Sequence, residues 1–138
     1  MIKRMLVAYD GSAPAEAAFA LGLAFARTFE ATLDVLAVAR PPDIGDDVET
    51  GAAIEGARRQ LRQALRKLET RAKESGAAVT FHVQVGHPAE CILAFAEHHG
   101  IDHIVIGHRG TSVLRRWLVG SVSRQVIDHA PCSVTVVR

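Results

Sequence analysis

The sequence contains no long hydrophobic run, and this absence excludes one class of protein at the outset. A membrane-spanning helix needs about 18 uninterrupted apolar residues. No segment of the 138 residues approaches that length, although 49% of them are hydrophobic. Residues 1–5 lead directly into a short apolar run, so we expect no secretory signal peptide. These features predict a globular, cytoplasmic protein.

Cysteine and excess charge are also scarce. The two cysteines, Cys91 and Cys132, lie far apart and outside any Cys-x-x-Cys pair, which is typical of a cytosolic protein with reduced thiols. The formal net charge of +1 is too small to draw the whole protein towards nucleic acid or an anionic membrane. The length is that of one domain, so we expect a single domain over residues 1–138.

The sequence does contain a regular alternation of short apolar runs and helical patterns. The apolar runs at 5–9, 33–39, 79–85, 104–106 and 133–137 are predicted to be strands. The segments 13–28, 54–75, 88–99 and 120–129 between them are predicted to be helices. Because such an alternation gives right-handed crossovers, we expect an α/β fold with an open parallel sheet of five strands and helices on both faces.

Two further segments have distinctive compositions. Residues 79–85 alternate apolar and polar side chains, which indicates a strand with one wetter face near an edge of the sheet. Residues 40–50 contain prolines, a glycine and four acidic residues. We expect this segment to be a mobile loop.

In an open parallel sheet a ligand binds at the carboxyl ends of the strands, where the strand order reverses. Asp10, Gly11 and Ser12 follow the first predicted strand, and the loop from Gly107 to Gly110 follows the fourth. If these strands are neighbours, the two loops face each other. Asp10 is compatible with a turn, a helix cap or a ligand contact, and its position favours a ligand contact.

The strongest pattern in the chain is Gly107-x2-Gly110-x9-Gly120-Ser121-Val122-Ser123. Glycines let backbone N–H groups approach a phosphate closely. A helix that opens at Gly120 presents free N–H groups and the positive end of its dipole to an anion, and the hydroxyls of Ser121 and Ser123 add donors. An ordinary turn followed by a serine N-cap is the alternative, but the spacing of the whole set favours phosphate binding.

This pattern matches the G-x2-G-x9-G-(S/T) signature of ATP-binding universal stress proteins, which the chain resembles over essentially its whole length. Residues 6–12 and 130–134 are also similar to that family. The resemblance implies an adenine nucleotide alpha-hydrolase-like fold with strand order 3-2-1-4-5, which makes the first and fourth strands neighbours. It also implies a homodimer formed through the edge strand at residues 132–137.

The resemblance further implies roles for individual residues. Those expected to line an adenine pocket are Ala8, Tyr9 and Val38. Those expected to flank the ribose and phosphates are Ile106, Gly107, Arg109 and Gly110. Those expected to hold the phosphate chain are Gly120, Ser121, Val122 and Ser123. Asp10 is expected near the ribose or near a Mg²⁺ ion on the phosphates.

Several other sites are excluded or disfavoured. No lysine follows Gly120-Ser121, so the segment is not a P-loop, and no G-x-G-x-x-G follows the first strand. The seven histidines form no metalloprotease pattern, so we expect no structural metal site. We expect His108 to be exposed.

Basic residues occur in two groups. The predicted helix at 54–75 carries Arg58, Arg59, Arg62, Arg66 and Lys73. Glu55 and Glu69 lie at helical spacing from these basic residues and can pair with them. This indicates a solvated helix face in preference to a nucleic-acid surface. The second group, at 115–117, fits either a guide for phosphates or a surface for a partner.

These observations favour an ATP-binding stress-response or signalling protein that acts as a nucleotide-dependent regulatory module. One alternative is a weak Mg²⁺-dependent ATPase in which Asp10 holds the metal, although the sequence shows no evident general base for hydrolysis. The other alternative is a structural dimer module that binds no nucleotide.

Overall fold

The computed structural model describes residues 1–41, 47–108 and 120–138. Strands and helices alternate along the chain in the order β1 (Arg4–Ala8), α1 (Ala13–Phe29), β2 (Thr32–Ala39), α2 (Asp47–Ser75), β3 (Val79–Val85), α3 (Pro88–His98), β4 (His103–Gly107), α4 (Gly120–His129) and β5 (Ser133–Val137). The predicted alternation is therefore confirmed.

The strands form one parallel sheet with the order β3-β2-β1-β4-β5. The central strand β1 pairs with β2 in the register Arg4↔Thr32 and with β4 in the register Met5↔His103. Right-handed crossovers in opposite directions place α1 and α2 on one face and α3 and α4 on the other. The predicted α/β fold is confirmed, and its strand order reverses between β1 and β4, which is where a crevice opens at the carboxyl edge.

The core is built on the three inner strands. Met5 to Ala8 of β1 and Ile104 to Ile106 of β4 have no exposed surface, because helices cover both faces of the sheet. From α1, Phe19 is also fully buried. Residues of β3 and β5 are mostly only half-buried, so the predicted edge positions of these strands are confirmed.

Helix α2 starts earlier than the sequence predicts. It begins at Asp47 instead of residue 54, so the last four residues of the predicted loop at 40–50 are helical. The prolines of the loop lie before this start. The remainder, residues 42–46, lies outside the described residues.

Along α2 the apolar stripe divides into two parts. Leu65, Leu68 and Ala72 are buried against the sheet with at most 4% exposure, whereas Ala57, Leu61 and Ala64 are only half-buried. A helix of 29 residues is about 43 Å long, and the 8 residues of β2 span about 26 Å. The first turns of α2 therefore extend past the carboxyl edge of the sheet.

The charged face of α2 differs from its predicted pairing. Glu55 pairs with Arg58 at 3.1 Å, as predicted, but no ion pair of Glu69 occurs within the described residues. Arg71 instead reaches Glu16 of α1 at 2.7 Å and lies 5.0 Å from the centre of the Phe19 ring. Packing between the two helices provides this partner, which helical spacing alone does not reveal.

Polar side chains on the strands are bonded to one another. On β2, the buried Asp34 lies 2.8 Å from Nε2 of His82 and 3.4 Å from Arg4. His103 of β4 lies 2.7 Å from each of two hydroxyls on β5, those of Ser133 and Thr135. These contacts explain both histidines as structural residues.

Across the part of the chain that the structure describes, no helix combines the length and apolar character needed to cross a bilayer.

Candidate functional site

A cavity of about 550 Å³ lies at the carboxyl edge of the sheet, between the ends of β1 and β2 and the middle of α2. Its sheet side includes Tyr9, Asp10 and Val38. The side chains that α2 contributes are Ala57, Gln60, Leu61, Ala64 and Lys67. The lining combines apolar surface with polar and charged side chains, and a concavity of this kind can hold a small molecule that carries both.

A chain of hydrogen bonds fixes one wall of this cavity. The Tyr9 hydroxyl donates to Oε1 of Glu16 at 2.5 Å, and Oε2 of the same carboxylate accepts from Nη1 of Arg71 at 2.7 Å. Burial, reinforced by the hydrogen bond to Glu16, raises the pKa of Tyr9 above its ordinary value. The phenol therefore stays protonated and keeps its ring at the end of β1.

Asp10 occupies the turn between β1 and α1. It is 7% exposed, and its Oδ1 accepts the backbone N–H of Ser12 at 2.9 Å. Ser12 in turn caps α1, because its hydroxyl accepts the N–H of Ala15 at 3.2 Å. The turn and the helix cap explain Asp10 in part, and its contact with a nucleotide stays a prediction.

The described residues contain no group of three or more histidine, cysteine, aspartate or glutamate side chains placed to hold a metal ion. A Mg²⁺ ion on phosphates keeps several waters and uses one or two carboxylates. A single carboxylate such as Asp10 at the crevice fits that donor set. Its predicted role as a metal ligand remains a prediction.

Gly107 is the last residue of β4, and the structure gives it a packing role. A Cβ atom at this position would lie 2.6 Å from the carbonyl carbon of Pro14 in α1, far closer than ordinary van der Waals contact. The absence of a side chain therefore lets the first turn of α1 approach the end of β4. This contact lies between elements that are remote in sequence, so the motif alone does not reveal it.

The start of α4 carries the predicted phosphate-binding serines. Ser121 is exposed in the first turn, and Ser123 is 1% exposed in the interior. The ring of His108 lies with Nδ1 2.8 Å from Oγ of Ser123, and its backbone N–H donates to the carbonyl of Val137 at 2.7 Å. His108 is half-buried instead of exposed, because it is held by both α4 and β5.

The structure brings some of the predicted site residues together and not others. Tyr9, Asp10 and Val38 line the cavity, whereas Ala8 and Ile106 are fully buried in their strands and do not line it. Arg109, Gly110 and the basic segment 115–117 lie outside the described residues. The sequence missed Glu16, Gln60 and Lys67, which the packing of α1 and α2 brings to the cavity.

The chain is similar to known proteins in both sequence and fold. The model of the universal stress protein family matches residues 1–138. Universal stress protein YxiE of Bacillus subtilis (strain 168) is 33% identical over 149 aligned positions, which cover 100% of both chains. UspA of Lactobacillus plantarum has a TM-score of 0.85 at 29% identity, covering 99% of this chain and 98% of its own.

A more distant structure shares the same architecture. The universal stress protein from Archaeoglobus fulgidus in complex with dAMP has a TM-score of 0.63 at 23% identity, covering 100% of this chain and 98% of its own. At this identity the similarity concerns the fold. Together, the match over residues 1–138, the relative of equal extent and the strand order show that the chain belongs to the universal stress protein family.

Proposed function

We propose that this protein binds an adenine nucleotide, with ATP as the principal ligand, across the carboxyl edge of its sheet. In this proposal it acts as a nucleotide-dependent regulatory module in a stress response. The observation that carries the proposal is that a 550 Å³ cavity and the first turn of α4 lie at the same edge, on either side of the point where strand order reverses. A ligand with an apolar ring at one end and an anionic chain at the other matches this arrangement.

The base would occupy the cavity beside α2. Tyr9 and Val38 offer apolar surface on the sheet side, and Leu61 and Ala64 offer it on the helix side. Asp10, between this cavity and the turn into α1, would face the ribose. These assignments rest on the position of the lining residues.

The phosphates would lie against α4. The first backbone N–H groups of a helix have no partner within the helix, and the dipole there favours an anion. The exposed Ser121 lies in that first turn, and the contact between His108 and Ser123 holds the second turn against the end of β4. Arg109 and Gly110 are proposed to complete this side, as the family signature implies.

We favour retention of the nucleotide over rapid hydrolysis. Asp10 would contribute to a Mg²⁺ ion bound on the phosphates, and the motif carries no lysine after Gly120-Ser121 to clamp the γ-phosphate. Among the described residues, His108 already has a partner in Ser123, and the Asp10 carboxylate accepts a backbone N–H. A weak ATPase remains the alternative that a phosphate-release assay distinguishes.

The dAMP in the Archaeoglobus fulgidus structure indicates that this fold has room for an adenine nucleotide in another protein.

For this chain we also propose a homodimer through the edge strand β5, where Val136 is 37% exposed and an uncovered strand edge favours pairing with its copy. Cys91 and Cys132 are free thiols, as a cytoplasmic location would require.

Two measurements test the proposed function. Mass spectrometry of small molecules released from the denatured purified protein should detect ATP, ADP or AMP. In a phosphate-release assay with ATP and Mg²⁺, turnover should be slow or absent, and rapid turnover would favour the enzyme. For the dimer, sedimentation at micromolar concentration should give twice the monomer mass, and a monomer there would contradict that part.

A further inference from the structure

A second groove lies between α2 and the edge strand β3. It has a volume of about 370 Å³, and the residues that line it are Arg62, Leu65, Arg66, Glu69, Phe81 and Val83. None of them lines the cavity proposed for the nucleotide. Leu65 is buried at 3% exposure, and Phe81 and Val83 are half-buried. The groove therefore combines an apolar base with charged side chains from the helix.

The charged side chains of this groove have no partner in the described part of the chain. Arg71 of the same helix pairs with a carboxylate of α1. In contrast, Arg62, Arg66 and Glu69 are exposed, and within the described residues their side chains make no ion pair or hydrogen bond. These three charges are therefore available to a binding partner.

The outer backbone of β3 is also unpaired. β3 ends the sheet on this side, and no other strand of the described chain pairs with its outer edge. Just after β3, the N–H of Gly86 donates to the carbonyl of Ala39 at 3.1 Å, so the even-numbered residues of β3 bond β2. Since successive residues of a strand direct their backbone groups to opposite edges, the N–H and C=O groups of Phe81 and Val83 face outwards. Such an edge is a template for a further strand.

We propose that this edge binds an extended acidic segment of a partner protein, which adds to the sheet as a further strand beside β3. Two acidic residues at alternate positions of the segment face α2 and pair with Arg62 and Arg66. Alternate residues of a strand are about 6.6 Å apart, and four residues of helix advance by about 6 Å, so one carboxylate falls beside each arginine. Main-chain hydrogen bonds to β3 and charge-assisted pairs to α2 hold the segment together.

Glu69 determines the order of charges along the segment. Because α2 connects two parallel strands, it runs antiparallel to β3, and the helix presents Glu69, Arg66 and Arg62 in that order towards the carboxyl edge. A segment antiparallel to β3, the slightly more stable arrangement, therefore reads acidic-x-acidic-x-basic. Nucleic acid fits this groove less well, because Glu69 repels phosphates and the net charge of +1 gives no wider attraction.

The test uses the peptide Thr-Glu-Thr-Glu-Thr-Lys-Thr with blocked ends and a second peptide in which lysine replaces both glutamates. Each is titrated into isotopically labelled protein and followed by NMR. The proteins are the wild type, the double variant Arg62→Glu with Arg66→Glu, and a matched control, Lys3→Glu with Arg27→Glu. The control makes the same change in net charge at exposed positions that do not line the groove. Thermal unfolding of all three proteins checks that the fold is retained.

The wild type and the control should bind the acidic peptide, and the double variant should bind it about tenfold or more weakly. The double variant should instead prefer the lysine peptide. In the wild type, the amide hydrogens of Phe81 and Val83 should exchange more slowly with solvent when the acidic peptide is bound, because they then donate to the added strand. Equal binding by the wild type and the double variant, unchanged exchange at these amides, or no binding at millimolar peptide would overturn the inference.

Two other occupants of this edge would give different results. Tighter binding of a short oligothymidylate than of the acidic peptide would assign the groove to nucleic acid. A lower sedimentation mass of the double variant than of the wild type and control, without peptide, would assign the edge to a second copy of the chain. Either result would overturn the inference. Because the groove and the nucleotide cavity share no lining residue, these outcomes leave the proposed function unaffected.

Discussion

The imidazole of His108 lies 2.8 Å from the hydroxyl of Ser123, with Nδ1 facing Oγ. This contact joins the residue after β4 to the second turn of α4, across a stretch of sequence that holds most of the family motif. Ser123 is 1% exposed, so its hydroxyl exchanges little with water. The position of α4 relative to the sheet edge therefore depends in part on this pair.

Substitution of the pair should reveal energetic coupling. We expect the free energies of unfolding of His108→Ala, Ser123→Ala and the double variant to be non-additive by about 1 kcal/mol, the usual net contribution of one hydrogen bond. Denaturant titration provides the measurement. The control is His98→Ala combined with Ser123→Ala, since the His98 ring bonds a carbonyl of its own helix, and these should add. Additive effects for His108 and Ser123 would mean that the contact does not stabilise the fold.

Two glycines should respond in opposite directions to replacement by alanine. Gly107→Ala should lower stability by about 1–3 kcal/mol, the usual cost of overpacking, because its Cβ would lie 2.6 Å from the backbone of Pro14. Gly56→Ala should raise stability by about 0.5–1 kcal/mol, because its Cβ would meet no atom within 4 Å in the interior of α2. Thermal unfolding monitored by circular dichroism distinguishes the two. A neutral Gly107→Ala would contradict the close approach of α1 to β4.

The phenol of Tyr9 should titrate above its ordinary pKa. The chain contains one tyrosine, so the rise of tyrosinate absorbance with pH reports this residue alone. Burial and the hydrogen bond to Glu16 raise the pKa of Tyr9 in the folded protein, whereas the value in urea should be about 10. The stability contributed by the protonated Tyr9 phenol should be fully present below a pH of about 10 and should be lost as pH rises through its folded-state pKa. Glu16→Gln should lower the pKa of Tyr9 part of the way, and a folded-state value of about 10 would contradict the contact.

Acid should destabilise the protein partly through His103. Burial lowers the pKa of its imidazole in the folded state, and the unfolded value is about 6.5. Below about pH 6.5 the unfolded chain therefore binds the proton more strongly, and stability should fall as pH falls towards the folded-state pKa. The free energy of unfolding of the wild type should fall more between about pH 7 and 5 than that of His103→Gln, because the substitution removes the titrating imidazole. Parallel pH profiles would show that His103 is not a source of the acid sensitivity.

The sequence predicts the order of elements well because short apolar runs mark the buried strands and helical patterns mark the segments between them. The fully buried runs of β1 and β4 have no polar interruption, and Gly76 and Gly100 lie just after helices α2 and α3 with positive φ angles of 74° and 61°. The start of α2 was predicted seven residues late, since its first turns extend past the sheet and carry no apolar stripe to mark them. Asp34 inside the apolar run of β2 is accommodated by His82 and Arg4 from the two neighbouring strands.

The candidate site was predictable only where one short segment determines it. Asp10, Ser12 and the glycine-spaced motif are local features, so the sequence indicates the carboxyl edge of the sheet, where the cavity lies. Gln60, Lys67 and Glu16 reach the cavity through the packing of α1 and α2 on the same face, which is a long-range property. The partner of His108 likewise depends on where α4 packs, and its spacing from Ser123 does not determine it.

Calorimetric titration of the purified wild-type protein with ATP and Mg²⁺ is the most direct test of nucleotide binding at the sheet edge. We expect saturable binding of one ATP per chain at ligand concentrations below millimolar. Binding by Ser121→Pro should be weaker, because this change removes a backbone N–H from the first turn of α4 at a position where a helix tolerates proline. Ser133→Ala, on β5 and away from the carboxyl edge, should bind ATP as the wild type does. No detectable binding of ATP by the wild type at millimolar ligand would contradict the proposed function.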